Sequence, residues 1–143
     1  VEPFVLEDAT FDQRGFPFRV EMRPNGWRLH NHQFGMRPFY DSIPVDEALL
    51  EHHRQAQQTA PESPFVLHTV TFRHDPEGYS SLIGRIERTV RPDGVSKRLI
   101  KDLADYVGTL EHRFGVVLAE AAELWPLVCE RHEAFVSAKA ASA

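Results

Sequence analysis

The sequence predicts an α+β fold in which the antiparallel strands of an incomplete barrel precede a linking helix, a three-stranded antiparallel meander and C-terminal helices. Apolar and polar residues alternate in the first third of the chain, which is typical of strands with one buried face. Helical spacing then replaces the alternation, which returns after residue 65 and gives way to apolar stripes near the end. These shifts divide the chain into barrel strands, linking helix and α/β lid, at residues 1–44, 45–58 and 59–143.

Composition excludes several classes of protein. The 143 residues suffice for one domain with a buried core, or one domain and a piece of another. A net charge of −5, with no block of Lys or Arg, argues against a nucleic-acid partner. No apolar stretch approaches the roughly 18 residues of a membrane span. The single Cys129 excludes an internal disulfide and fits a reducing, cytoplasmic compartment.

The start of the chain is unusual for a complete protein. It begins at Val1 without Met, so we expect it to start inside a longer protein, through a split gene, truncation or proteolysis. Initiator processing or trimming of a tag is the alternative.

The first segment is predicted to form short antiparallel strands. A strand over residues 16–22 is followed by a hairpin turn at 24–26, and alternation resumes over 27–32 and again at 39–40. One face of the first of these strands carries Phe16, Phe18, Val20 and Met22.

A helix is predicted over residues 45–58. Val45, Ala48 and Leu49 fall at helical spacing, and Asp46 and Glu47 lie in the first turn, where the helix dipole favours negative charge.

The third segment is predicted to begin with three strands. They cover residues 65–72, 81–90 and 95–100, with turns at 74–78 and 91–94 where Pro, Asp and Gly cluster.

Helices are predicted to close the chain. Asp102 is a plausible N-cap with Asp105 three residues later, and Gly115 stands where a helix-ending glycine belongs. Between them one apolar stripe contains Leu103, Tyr106, Val107, Leu110 and Phe114. A last helix is predicted from Ala119 or Trp125 to Val136, started or kinked by Pro126, with a frayed tail over 137–143.

The order of these parts resembles the C-terminal half of arylamine N-acetyltransferases. That family carries a Ser-Thr-His-Pro-x-Ser-x-Phe loop after a helix, and the sequence here is Gln-Thr-Ala-Pro-Glu-Ser-Pro-Phe at 58–65. The family's Leu-x-x-x-Phe-Gly-Ile/Val element near the end is matched at 110–116. The segment Arg-Pro-Phe-Tyr at 37–40 precedes the linking helix as expected. Order and spacing, more than any single motif, carry the resemblance.

The resemblance implies ping-pong transfer of acetyl from acetyl-CoA to an arylamine or arylhydrazine, through a Cys-His-Asp triad. The family's Arg-Gly-Gly-x-Cys motif is not found in this chain, and in family order the triad would precede Val1. Cys129, among apolar neighbours in a helix, is predicted to be a core thiol. The implied partner is therefore a triad-bearing N-terminal segment or chain. It is expected to cover the apolar positions Phe16, Phe18, Val20 and Trp27.

The same resemblance assigns site residues. Thr59, Ser63 and Phe65 are expected to contact coenzyme A, although the family's loop histidine is Ala60 here and Glu62 adds a negative charge. The alternative is that the two hydroxyls cap local backbone groups, as Ser and Thr commonly do.

A second set of residues is expected to contact the acceptor. The family's aromatic pocket residue falls on Ser42 by spacing, or on Tyr40 if the register differs by two. The alternative for both is an ordinary barrel strand.

No metal site is predicted. His30 and His32 share a strand face, and His52 and His53 are adjacent on a helix, but zinc requires three or four ligands. Two other functions stay open beside the acyltransferase part: a non-catalytic binding or regulatory module that lost the triad, and a related amide synthase using carrier-bound acyl groups.

Overall fold

The computed structural model describes residues 3–42, 44 and 46–141, and it confirms an α+β fold. The first sheet is antiparallel, with strand order β1-β2-β3-β4, and within the described residues it stays open rather than closing into a barrel. Its strands are β1 Ala9–Gln13, β2 Phe16–Arg23, β3 Gly26–His30 and β4 Phe39–Ser42. The alternating segments predicted from the sequence become β2, β3 and β4, whereas β1 had no separate prediction.

The linking helix is confirmed as α1, Glu47–Thr59. Asp46 is its N-cap and accepts a hydrogen bond from the backbone N–H of Leu49. Val45, included in the prediction, lies outside the described residues. No residue of α1 is buried, so this helix packs only lightly against the other described residues.

A short helix, α2 Pro64–Leu67, stands where the sequence predicted the start of a strand. The backbone N–H of Phe65 donates to Ser63 Oγ, and Pro64 occupies the first turn with its φ already set for a helix. The apolar run from Phe65 was therefore wrongly assigned to a strand, because the cap and the proline outweigh β propensity there.

The second sheet has four strands in a meander, not the predicted three. The segment 81–90 is broken by a tight turn, because Gly84 adopts φ 55° and Ile83 pairs with Ile86 across it. Two apolar residues flanking the turn made the segment look continuous. The strands are β5 Val70–Asp75, β6 Gly78–Ile83, β7 Ile86–Arg91 and β8 Gly94–Leu99.

One face of the second sheet is covered by helices. The N-cap Asp102 accepts from the N–H of Asp105 and starts α3, Leu103–Gly108, which continues as a π-helical turn, Thr109–Phe114. Gly115 ends it at φ 70°, as predicted. Buried residues of sheet and helices form one core, with Leu82, Ile100, Tyr106, Leu110, Phe114, Ala121 and Val128.

The last helix, α4, spans Ala121–Ala141 and is longer than predicted. Pro126 lies in its second turn, where it removes one helical hydrogen bond, and the predicted tail is helical up to Ala141. No helix of the described residues has the length and apolarity to cross a membrane.

The two sheets meet at the start of β2. Phe16 packs on Tyr79, with ring centroids 6.5 Å apart, and the backbone oxygen of Phe34 accepts from Arg88 Nη2 at 2.6 Å. Phe16 and Val20 are buried within this chain. The expectation that these two positions face a partner is therefore wrong, since this chain already covers them.

Candidate functional site

A groove lies on the open face of the second sheet, beside the C-terminal half of α4. Its cavity volume is about 710 Å³. We call it the basic groove, because Arg88 and Lys97 line it and no carboxylate of the described residues does. The other lining residues are His68, Ser81, Ile83, Gly84, Ile86, His132, Phe135, Val136 and Ala140.

Two cationic residues that are opposite each other in the sheet line this groove. Arg88 on β7 is directly opposite Lys97 on β8 in the antiparallel register. Like charges in directly opposed positions destabilise a sheet, so an anion between them would relieve the repulsion. In the described part of the chain Lys97 has no acidic partner and is exposed.

The guanidinium of Arg88 is held in place from the first sheet. Its Nη1 donates to Tyr79 Oη at 3.2 Å and its Nη2 to the backbone oxygen of Phe34 at 2.6 Å. Tyr79 Oη in turn donates to the same oxygen. The fixed cation is a preorganised hydrogen-bond donor for an anionic ligand.

Sequence reasoning missed this pair, although a signal was present. The predicted turn at 91–94 is the β7–β8 hairpin, in which Arg91 pairs with Gly94. Counting outward by three residues from each end of that turn places Arg88 opposite Lys97. The missing step was to combine turn and register, not to recognise either residue alone.

A smaller cavity continues from the basic groove toward α2. This connecting pocket of about 160 Å³ shares His68 and Gly84 with the groove and is also lined by Phe65 and Arg131. Arg131 on α4 donates to the backbone oxygen of Val66 at 3.1 Å and so ties α4 to α2. Of the three loop residues assigned from the sequence, Phe65 lines this pocket and is 64 % exposed.

The two loop hydroxyls make local hydrogen bonds. Thr59 Oγ1 donates to the backbone oxygen of Gln55 at 2.8 Å, and Ser63 Oγ donates to that of Gln57 at 2.6 Å. Ser63 is buried as well as being the N-cap of α2. Neither lines the connecting pocket. Their donor hydrogens are therefore used by the backbone, which is what the capping alternative describes.

An aromatic cleft of about 410 Å³ opens between the first sheet and the edge of the second. Tyr40, assigned to the acceptor pocket, lines it and is 45 % exposed. Ser42 lies two residues further along β4, on the same strand face, but pairs with Trp27 and does not line the cleft. Rings of the cleft belong to Phe4, Phe11, Phe16, Phe18, His32, Phe72, His74 and Tyr79.

The histidines are separated by the structure. His30 lies 2.7 Å from Glu21 on the outer face of the first sheet, and this hydrogen bond lowers the pKa of Glu21. His32 follows the end of β3 and turns inward. The expectation that His30 and His32 share a strand face is therefore wrong. Among the described residues, no group of three or more His, Cys, Asp or Glu is placed to hold a metal ion.

Comparison with known proteins gives matches among solved structures alone. No protein-family model and no curated protein matches the chain. The Mycobacterium marinum arylamine N-acetyltransferase in complex with CoA is 26 % identical, with a TM-score of 0.67 over 88 % of this chain and 48 % of that one. The M. smegmatis enzyme is 22 % identical, with a TM-score of 0.73 over 90 % and 49 %. The M. tuberculosis enzyme is 22 % identical, with a TM-score of 0.67 over 87 % and 50 %.

These matches confirm the resemblance found in the sequence. They cover nearly the whole of this chain, yet the chain spans only about half the length of the structures that it matches. The chain thus has the fold of about half of an arylamine N-acetyltransferase.

Proposed function

We propose that this chain is the C-terminal, cofactor-binding part of an acyltransferase of the arylamine N-acetyltransferase type. The observation that carries the proposal is the similarity in fold to a structure in complex with CoA. The acetyl group of acetyl-CoA would pass to an arylamine or arylhydrazine through a Cys-His-Asp triad that a separate segment or chain supplies. Nothing in the comparisons favours a non-catalytic module or an amide synthase.

Coenzyme A would lie along the basic groove and the connecting pocket. Its phosphates suit the opposed cations Arg88 and Lys97, for which no described residue supplies a counter-charge in the groove. Its pantetheine arm is long and mostly apolar, and the path past His68 toward Phe65 offers it an apolar wall. Thr59 and Ser63 would border this path, and the hydroxyl of Thr59 keeps lone pairs that can accept from the arm.

The acceptor amine would lie in the aromatic cleft. Flat rings stack favourably on the phenylalanines and tyrosines that line it, and Tyr40 stands at the exposed side. Ser42 is the next residue on the same face of β4. It does not line the cleft, so it would lie near the acceptor but outside the cleft.

The triad-bearing partner would cover the parts of the chain that this structure leaves open. In the described part of the chain, helix α1 buries no residue and exposes Leu49 and Leu50, and β4 pairs along one edge only. Unpaired strand edges and exposed apolar side chains are what a further segment of the same fold would cover.

Titration calorimetry with coenzyme A tests the cofactor role. Lys97→Ala should raise the dissociation constant roughly 5- to 20-fold, because a charge-assisted hydrogen bond to phosphate is lost while solvent weakens its contribution. Lys101→Ala is the matched control, since Lys101 is exposed and does not line the groove. Equal affinities for the wild type and Lys97→Ala would contradict the assignment.

The loop is tested by the double variant Thr59→Ala, Ser63→Ala. If both hydroxyls contact the cofactor, the dissociation constant of coenzyme A should rise roughly 5- to 150-fold. If they only cap the backbone, the melting temperature falls and the affinity does not change. Measuring both quantities on the same sample separates the two roles.

A further inference from the structure

One polar atom in the aromatic cleft, His32 Nε2, has no hydrogen-bond partner among the described residues. His32 is only 7 % exposed and lies among rings, with centroids 4.4 Å from Phe16, 5.4 Å from Phe18 and 6.1 Å from Tyr79. Histidines in such surroundings normally satisfy both ring nitrogens, because an unpaired buried polar group is costly.

The hydrogen bonds of His32 fix its tautomer. Its Nδ1 accepts from the backbone N–H of Phe34 at 3.2 Å, so in the neutral ring the proton resides on Nε2. Burial, and after it the positive charge of Arg88, lower the pKa of His32 below its usual value. The ring is therefore a neutral N–H donor near pH 7.

That donor remains available to a ligand. Nε2 makes no hydrogen bond within the described residues. Every fully buried side-chain nitrogen or oxygen among those residues does have a partner, so Nε2 is not sealed off. His32 lines the cleft, and the cleft is the opening through which a ligand atom can reach it.

The surroundings of the donor select the ligand. Phe11, Phe18 and Phe72 give the cleft flat apolar walls, which favour a planar aromatic ring. A single N–H among such walls favours a ring with an acceptor atom at one end over an equally large hydrocarbon, because only the former pairs with it.

We propose that the aromatic cleft binds aromatic amines that carry a hydrogen-bond acceptor on the ring, and that His32 Nε2–H donates to that acceptor. This inference rests on the proposed function in taking the cleft as the acceptor pocket, and it makes His32 a specificity-determining residue. The amino group, at the opposite end of the ring, would then point toward the exposed side of the cleft, where Tyr40 lies.

Two probes of equal heavy-atom count test it: 4-aminoacetophenone, which has a carbonyl acceptor, and 4-isopropylaniline, which has none. Binding of each to the chain is measured by calorimetry at pH 7.5 without coenzyme A. The wild type should bind the ketone more tightly by roughly 2- to 13-fold, the equivalent of one net hydrogen bond.

Two variants assign the preference to one residue. His32→Phe keeps an aromatic ring and removes the donor, so the preference for the ketone should disappear. His74→Phe, at the other histidine of the cleft, should retain it. Equal binding of the two probes by the wild type, or an unchanged preference in His32→Phe, would overturn the inference. Because coenzyme A is absent, failure here leaves the cofactor test with Lys97→Ala unaffected, and the converse also holds.

Discussion

The second half of this chain builds its own core, whereas the first half does not. In residues 64–141, strand and helix side chains such as Leu82, Ile100 and Tyr106 are almost completely buried against each other. Among the described residues of the first half, only Phe16 and Val20 are apolar and buried.

The difference teaches where this fold can be left incomplete. The second sheet packs against helices on one face, and the basic groove lies on its other face. Contacts such as Phe16 on Tyr79 and the hydrogen bond from Arg88 to the oxygen of Phe34 join the first sheet to the second. Under the proposed function, the aromatic cleft beside this sheet would hold the acceptor.

The largest expected effect is a cavity in the core of the second half. Leu82→Ala should lower the free energy of unfolding by about 2–5 kcal/mol, because Leu82 is 1 % exposed and its cavity cannot collapse easily. Leu29→Ala, in the partly exposed first sheet, should cost less than half as much. Urea unfolding of both variants measures this, and equal losses would mean that the two halves share one core.

A buried carboxylate gives the second comparison. Glu87 has an 11 % exposed side chain and lies 2.8 Å from Arg98 and 3.4 Å from Arg113, joining sheet to helix. Glu87→Gln should destabilise the chain by about 1–3 kcal/mol, since two cations lose the negative charge of their partner. Glu51→Gln, which breaks the exposed pair with Arg54 on α1, should leave the melting temperature unchanged. A large fall in the melting temperature of Glu51→Gln would show that α1 is packed against the rest of the protein more closely than its exposure indicates.

A smaller effect depends on pH and reports on the junction of the two halves. The pKa of His32 is lowered in the folded chain, so the unfolded chain binds the proton first as the pH falls. The free energy of unfolding should therefore decline below pH ~6.5 and level off below the lowered pKa. Arg88 supplies the neighbouring charge, and the other titratable groups that line the cleft are Arg14, Tyr40, His74, Asp75 and Tyr79.

Comparing the unfolding curves of the wild type and His32→Phe isolates this contribution, because the other histidines are common to both. The difference between the two should change between pH 7.5 and 5.5. A difference that stays constant over that range would show that His32 titrates alike in the folded and unfolded chains.

Local signals in the sequence predicted much of the fold. Asp46 and Asp102 mark helix starts, and Gly115 marks a helix end, because caps and positive φ act within a few residues. The turn at Gly84 was hidden, since Ile83 and Ile86 on either side continue the apolar pattern without interruption.

The sites were less predictable than the elements. Tyr40 and Phe65 do line cavities, and both came from the family resemblance rather than from periodicity. His32 had no such signal: its isolation among rings arises from contacts between strands β2 and β6, which are distant in sequence. Tertiary contacts of this kind cannot be inferred from the spacing of one segment.

Hydrogen exchange with and without coenzyme A tests the central claim, that the cofactor lies on the open face of the second sheet. Saturating coenzyme A should slow exchange in β7, β8, the C-terminal half of α4 and the segment 59–65, and should leave β1 and β2 unchanged. Protection confined to the first sheet, or no protection at saturation, would contradict the account.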